Sequence, residues 1–271
     1  MAAILYFWLV TLKGKVIWLT GASSGIGEAI AHQLLEHEVK LIVSARRKDK
    51  LQKLVDQYGK EHVALVTLDQ AQVDSLPGVV KEAEAQFGRV DIAILNGGIS
   101  QRSLTRETGL EVDRRLMEVN FFANTVITKE LLPGMLERGY GHFMVTSSLT
   151  GKFGFKLRSA YAASKHALHG FYESLRFEEH QNGIGVTMVC PGFIRTELSK
   201  TAVTGDGSAQ GTMDNNQDQG MLPEVCAKKM IAALEGEKHE VVIGGGERYS
   251  VLLKRFFPKL HFNIVSKRSG R

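Results

Sequence analysis

Cysteine is scarce: 271 residues hold only Cys190 and Cys226. Two thiols outside any Cys-x-x-Cys pair cannot build a disulfide framework, so a reducing compartment fits best. Long apolar runs are missing too, because no stretch approaches the roughly 18 continuous residues of a membrane span. Acidic residues are absent from Arg248 to Arg271, where seven Lys and Arg stand. The remainder carries 27 basic and 29 acidic residues, so the net charge of +5 arises in this tail. No recognition motif accompanies that charge, and nucleic acid is not an expected partner. His166 and His169 lie three apart with no carboxylate or cysteine at ligand spacing, so no metal is expected. Neither an internal repeat nor an interdomain linker is found, and the length suits one large α/β domain.

The two ends stand apart from the rest. "MAAILYFWLV" opens an apolar leader, residues 1–14, too short to span a bilayer and without the flanks of a signal peptide. It is expected to dock on the domain surface, with a shallow membrane contact as the alternative. The tail, residues 247–271, interleaves large apolar residues with its cations. A C-terminal helix packed on the core with a solvated basic face is the first expectation, and an anionic membrane surface the second.

Between the ends, apolar runs alternate with amphipathic stretches. "KVIWLT" (15–20), "KLIVSA" (40–45), "VALVTL" (63–68), "DIAILN" (91–96), "HFMVTS" (142–147), "VTMVCP" (186–191) and "EVVIGG" (240–245) read as strands. Helix-length segments fall at 25–37, 47–58, 72–87, 110–137 and 159–182, with another from about Pro223 to Leu234. Near-continuous Val/Ile/Leu strands alternating with helices predict one doubly wound parallel sheet of about seven strands, in a domain spanning 15–246. The stretch 200–221 is rich in Gly, Asp, Asn and Gln. Lying after the sixth strand, it is a candidate lid, about 197–222, over a ligand at the carboxyl ends of the strands.

"TGASSGIG" (20–27) follows the first strand and opens the first helix. Gly21 can turn tightly, Gly25 lets the backbone approach a phosphate, and Gly27 permits close helix–sheet packing. Ser23, Ser24 and Ile26 complete the turn, and the helix start offers N–H donors to a pyrophosphate. Further on, "SAYAASKHAL" (159–168) places Tyr161 and Lys165 at i, i+4 on one helix face. An ammonium there can stabilise a phenolate and bring a tyrosine toward the working range of a proton donor. Ser148 in "VTSSLTG" precedes Tyr161 by thirteen residues, and Asn120 falls inside a long predicted helix, where asparagine is a mediocre helix former.

The Gly-x-x-x-Gly-x-Gly spacing, followed in order by Asn120, Ser148, Tyr161 and Lys165, resembles the short-chain dehydrogenase/reductase family from about Lys15 to Leu198. The resemblance implies a Rossmann-type fold and a catalytic tetrad of Asn120, Ser148, Tyr161 and Lys165. It places Asp69 beside the adenine. "PGFIRTEL" (191–198), with Pro191, Gly192, Ile194 and Thr196, is similar to the segment that closes over a nicotinamide. The family's usual Asn-Asn-Ala-Gly reads "LNGG" here, Leu95 to Gly98, keeping Asn96 and Gly98; altered packing is expected rather than lost activity. "NGGISQRSL", "YAASKHAL" and "DNNQDQ" resemble the family's membrane-associated, member-seven-like group. That likeness implies carbonyl chemistry on small lipophilic compounds such as steroids, retinoids or quinones. Phe153, Phe155 and Phe193 are the expected apolar substrate contacts beside Ser148 and Tyr161.

Arg46 and Arg47 stand where a dinucleotide-binding fold often puts an acidic residue on a ribose. A guanidinium there can hold a 2′-phosphate through a forked contact, and two cations at a helix start are costly unless an anion compensates them. NADP(H) is therefore the expected cofactor. The expected location is cytoplasmic, peripheral to a membrane if the termini touch one, with the endoplasmic reticulum membrane as the alternative. By the same resemblance the long helices form subunit interfaces, which implies a homodimer or homotetramer. A 3-oxoacyl-thioester reductase is the runner-up; a cofactor-sensing regulator and a membrane-surface scaffold are the non-enzyme alternatives.

Overall fold

The computed structural model describes residues 10–268. Most of the apolar leader, and the last three residues of the basic tail, lie outside them. Val10 and Leu12 are buried, and the Val10 N–H donates to the Glu235 carbonyl at 3.0 Å.

The strands sort their side chains by the period of two that a pleated strand imposes. In β1 (Val16–Thr20), Ile17 and Leu19 face one side of the sheet, while Val16 and Trp18 face the other. The first side is covered by α1 (Gly25–Leu34), α2 (Lys48–Tyr58) and α8 (Pro223–Glu235). The second is covered by α3 (Leu76–Phe87), α5 (Ala123–Glu137) and α6 (Ser159–Glu179). The remaining strands are β2 (Lys40–Ala45), β3 (Val63–Thr67), β4 (Ile92–Leu95), β5 (Gly141–Thr146), β6 (Ile184–Pro191) and β7 (Glu240–Ile243). All seven pair in parallel in the order β3-β2-β1-β4-β5-β6-β7, the expected doubly wound sheet. The strand order reverses between β1 and β4, and a crevice opens there beyond the carboxyl ends.

Two expectations about helices are corrected. The segment 110–137 is not one regular helix: α4 (Leu110–Met117) and α5 are joined by a wide turn, Glu118–Phe122, in which the Ala123 N–H reaches back to the Glu118 carbonyl. Asn120 sits in that turn, so the poor helix former marks a real break. The basic tail forms two short helices, α9 (Ser250–Phe256) and α10 (Pro258–Val265), because a residue preceding proline is driven out of the helical region. Phe257 makes that turn with φ −134° and ψ 62°.

The stretch 200–221 is tied into the fold at both ends. Val203 forms a bridge to Gln101, Met221 one to Ile194, and a short α7 (Asn215–Asp218) lies between. Asp214, just before α7, is buried against Arg102 at 2.6 Å and Arg158 at 3.2 Å.

Candidate active site

A cleft of about 520 Å³ lies over the crevice between β1 and β4. Nearly all the residues singled out from sequence line it: Gly21, Ser23, Ser24, Gly25 and Ile26 from the glycine turn, then Arg46, Arg47, Asp69, Asn96 and Gly98. Ser148, Phe153, Phe155, Tyr161, Lys165, Pro191, Gly192, Phe193, Ile194 and Thr196 complete it. Gly27 and Asn120 stand behind its wall and act on it through their neighbours.

The glycines are required by contact. Gly21 and Gly25 have φ of +69° and +57°, which side chains rarely adopt. A Cβ on Gly27 would lie 2.1 Å from the Gly21 carbonyl oxygen, and one on Gly25 would lie 2.9 Å from the Thr196 methyl carbon. The 191–198 segment therefore closes directly onto the turn. Ser24 precedes α1 without a side-chain cap, leaving first-turn N–H groups to the cleft. A bare backbone cradle at a helix start suits a dinucleotide pyrophosphate. Arg47 braces this turn, its guanidinium donating to the Ser23 carbonyl at 3.1 Å and hydroxyl at 3.0 Å. Arg46, exposed at the end of β2, lines the cleft without a hydrogen bond or ion pair to any described residue.

The departure at 95–98 has a packing reason. Leu95 is a fully buried strand residue, and Asn96 ties three strand ends together. Its N–H donates to the Thr20 hydroxyl at 3.0 Å and its side-chain oxygen accepts from Thr146 at 3.3 Å. At Gly97, a Cβ would lie 1.9 Å from Gln70 Oε1. Gln70 is buried, and its amide donates to the Val119 carbonyl at 3.2 Å and Asn124 Oδ1 at 3.3 Å. Glycine makes room for glutamine.

At the other end, α6 carries Tyr161 and Lys165 inward, both buried. The ammonium of Lys165 donates to the Thr146 carbonyl at 2.8 Å and lies 5.8 Å from the Tyr161 ring centre. Asn120 Oδ1 accepts from the Ile99 N–H at 2.9 Å, its Nδ2 donates to the Ile99 carbonyl and Ser164 hydroxyl, and its own carbonyl accepts from Asn124. Two adjacent serines divide their work. Ser147 turns inward to the Lys165 carbonyl and His169, at 3.2 and 3.0 Å, while the Ser148 hydroxyl meets the Tyr161 phenol. Of the two, Ser148 is the serine that hydrogen-bonds Tyr161.

The electrostatics differ from the sequence expectation. Burial raises the Tyr161 pKa above its ordinary 10, and the forces opposing it are the Ser148 hydrogen bond and the charges of Arg102 and Arg158. Lys165 is itself pushed down to about 8 by burial. The cations acting on the phenol thus include two arginines that no motif flagged. Next to Arg102, Gln101 Oε1 accepts the N–H groups of Ala160 and Tyr161 at 2.9 and 3.2 Å, capping α6, while Arg102 pins Asp214. Glu247 was missed as well; its Oε1 accepts the Phe193 N–H at 3.1 Å and the Gly245 N–H at 3.1 Å. Behind the site, His169, Cys190 and Glu240 converge, and the Lys152 ammonium stands 2.5 Å from Glu240 and 3.3 Å from His169 Nδ1.

A parallel sheet in this order, a glycine turn at its switch point and a tyrosine–lysine pair across the cleft define a dinucleotide-dependent oxidoreductase. The chain belongs to the short-chain dehydrogenase/reductase family: residues 15–206 match the model described as short chain dehydrogenase. Like its family it is an NAD(P)-dependent oxidoreductase. Among its relatives, the dehydrogenase/reductase SDR family protein 7-like of Drosophila melanogaster is 38% identical, over 95% of this chain and 81% of its own length. Dehydrogenase/reductase SDR family member 7B of Bos taurus is 37% identical over 96% and 83%. A short-chain dehydrogenase from Streptomyces avermitilis superposes with a TM-score of 0.80 at 30% identity, covering 94% of this chain and 98% of that one. A Burkholderia phymatum family member in complex with NAD gives 0.81 at 20%, covering 93% and 96%. An alcohol dehydrogenase of Thermococcus sibiricus complexed with 5-hydroxy-NADP gives 0.73 at 24%, covering 86% and 97%.

Proposed function

We propose that the chain interconverts a carbonyl and an alcohol on a small lipophilic compound, using NADP(H). The observation that carries this reading is the character of the cleft's two ends. One end presents the exposed, unengaged guanidinium of Arg46 beside the glycine turn; the other sets Ser148 and Tyr161 among Phe153, Phe155 and Phe193. An unengaged guanidinium suits a 2′-phosphate, which an aspartate in its place would repel. When bound, the nicotinamide supplies or accepts the hydride.

The chain's own residues do the rest. The N–H groups at the start of α1 hold the pyrophosphate, and Thr196 closes over it. Ser148 and Tyr161 hold the substrate oxygen, and in reduction Tyr161 gives it a proton. Lys165 steadies the cofactor's ribose side and, with Arg102 and Arg158, favours the phenolate that remains. Asn120 fixes the Ile99 backbone beside Lys165 and holds the turn through which a proton is restored. The aromatic side chains exclude water from the reacting carbon. Oxidation of NADPH and of NADH, followed over ketones, aldehydes and 3-oxoacyl thioesters, tests the reading. Turnover of hydrophobic ketones or aldehydes with NADPH is the expected result. Turnover confined to acyl thioesters would move the assignment to fatty-acid reduction, and preference for NADH would remove Arg46 from its role.

A further inference from the structure

The tail helices α9 and α10 bury little of themselves. Twelve large apolar side chains are exposed among the described residues, and seven of them fall between Tyr249 and Ile264. Phe256, Phe257 and Phe262 are 65%, 61% and 69% exposed, and Leu252, Leu260 and Ile264 join them. Only His261 of the two helices is buried, with its ring 5.0 Å from that of Phe153. A concentration of this kind is unusual on a protein surface unless something covers it.

Charge decides what covers it. The two helices and the residues just after them carry Lys254, Arg255, Lys259, Lys267 and Arg268, and from Arg248 onward there is no acidic residue. A second copy of the chain bringing up the same face would set five cations against five, which opposes a two-fold contact. An anionic phospholipid surface offers both things the face lacks, hydrocarbon for the aromatic rings and negative charge for the cations. Helices of seven and eight residues cannot cross a bilayer, and no described helix is long and apolar enough to do so. They can lie in its interface.

We infer that α9 and α10 are a docking surface for an anionic membrane, and that they seat the mouth of the cleft on it. The second half follows from attachment. The Lys254 ammonium donates to the Lys152 carbonyl at 3.0 Å, His261 packs on Phe153, and Ser250, Val265 and Arg268 line the cleft itself. The pair that meets the bilayer is thus the wall of the substrate end, and a compound dissolved in the membrane enters without crossing water. This delivery step rests on the lipophilic-substrate reading above; the docking does not.

Flotation of the full chain with phosphatidylcholine vesicles, with and without about 30% phosphatidylserine, tests the docking. The chain is expected to float with the anionic vesicles, and less so at about 1 M salt, where screening shortens to about 3 Å. Replacing Phe256, Phe257 and Phe262 by Glu, or Arg255 and Lys259 by Glu, should lower binding by roughly tenfold or more. NADPH binding, read by its fluorescence, should be unchanged in both variants and reports that they are folded. A wild-type chain that stays with neither vesicle, or a triple variant that floats as well as wild type, overturns the proposal. So does sedimentation showing a dimer that the triple variant alone dissolves, with vesicle binding unaltered, since the face would then be a protein interface. For delivery, wild type should reduce a vesicle-borne ketone at least tenfold faster than the triple variant, with equal rates on a water-soluble ketone. Equal rates on both overturn delivery. Absence of turnover in every form rejects the oxidoreductase substrate reading while the flotation result stands by itself.

Discussion

Tyr161 sits where two demands conflict. Burial holds its phenol protonated, as a donor to a carbonyl oxygen must be, yet the phenolate left behind needs stabilising in the same dry space. Ser148 and the guanidinium groups of Arg102 and Arg158 oppose the burial effect. Tyr161→Phe should lower kcat by roughly 100- to 10,000-fold, the span of general acid catalysis, with the NADPH dissociation constant nearly unchanged. Retained turnover would show that the proton comes from elsewhere. At the cleft's other end, Arg46→Asp removes a charge-assisted contact and adds repulsion. It should weaken NADPH binding by roughly 10- to 100-fold while leaving NADH within a few-fold. Titration of both cofactors against both forms checks this, and an undiminished NADPH preference would sink the role given to Arg46. These residues were legible because they belong to short motifs whose geometry is local: a turn at a helix start and an i, i+4 pair on one helix face. Arg102, Asp214 and Glu247 were not, because their partners lie 112 residues away in the first case and 54 in the last, and no local pattern announces such pairs.

At the scale of elements, strands read well and helix interiors less so. Near-continuous apolar runs marked all seven strands to within two residues or so, whereas the break at Glu118–Phe122 showed only as one ill-suited asparagine. The β4–α4 connection holds the clearest test of packing. Gly97→Ala puts a Cβ against Gln70 without requiring an unusual φ, so its cost is steric, about 1–3 kcal/mol in urea unfolding. In a Gln70→Ala background the same change should cost less than half as much, and additive effects would disprove the coupling. The β5–β6 pair carries an acid sensitivity. His142 on β5 shares a hydrogen bond of 2.9 Å with Thr187 on β6, and burial, helped by Arg176, pushes its pKa down to about 4. An unfolded histidine takes its proton near 6.5, so between those values the unfolded chain binds more protons. Stability is therefore full above about pH 6.5 and falls as pH drops toward 4. His169, also pushed down to about 4 and chiefly by burial, adds to the same slope. His142→Gln should roughly halve the loss of Tm across this window while lowering Tm at pH 7; an unchanged slope would exclude His142 as its source.

For the whole molecule, the order of the sheet separates the cleft into two halves by origin. The glycine turn, Arg46, Arg47 and Asp69 all come from the first 69 residues and the strands β1 to β3. The opposite half draws on β5, α6, the 191–198 segment and, last, Glu247, whose carboxylate holds the Phe193 N–H. Synthesis proceeds from one half to the other. A nascent chain owns its glycine turn early, but the Phe193 backbone across the cleft lacks its anchor until Glu247, 54 residues further on, has been made. The two halves of the cleft are thus completed at different moments of synthesis, and a chain made only as far as Phe193 has an unbraced cleft wall.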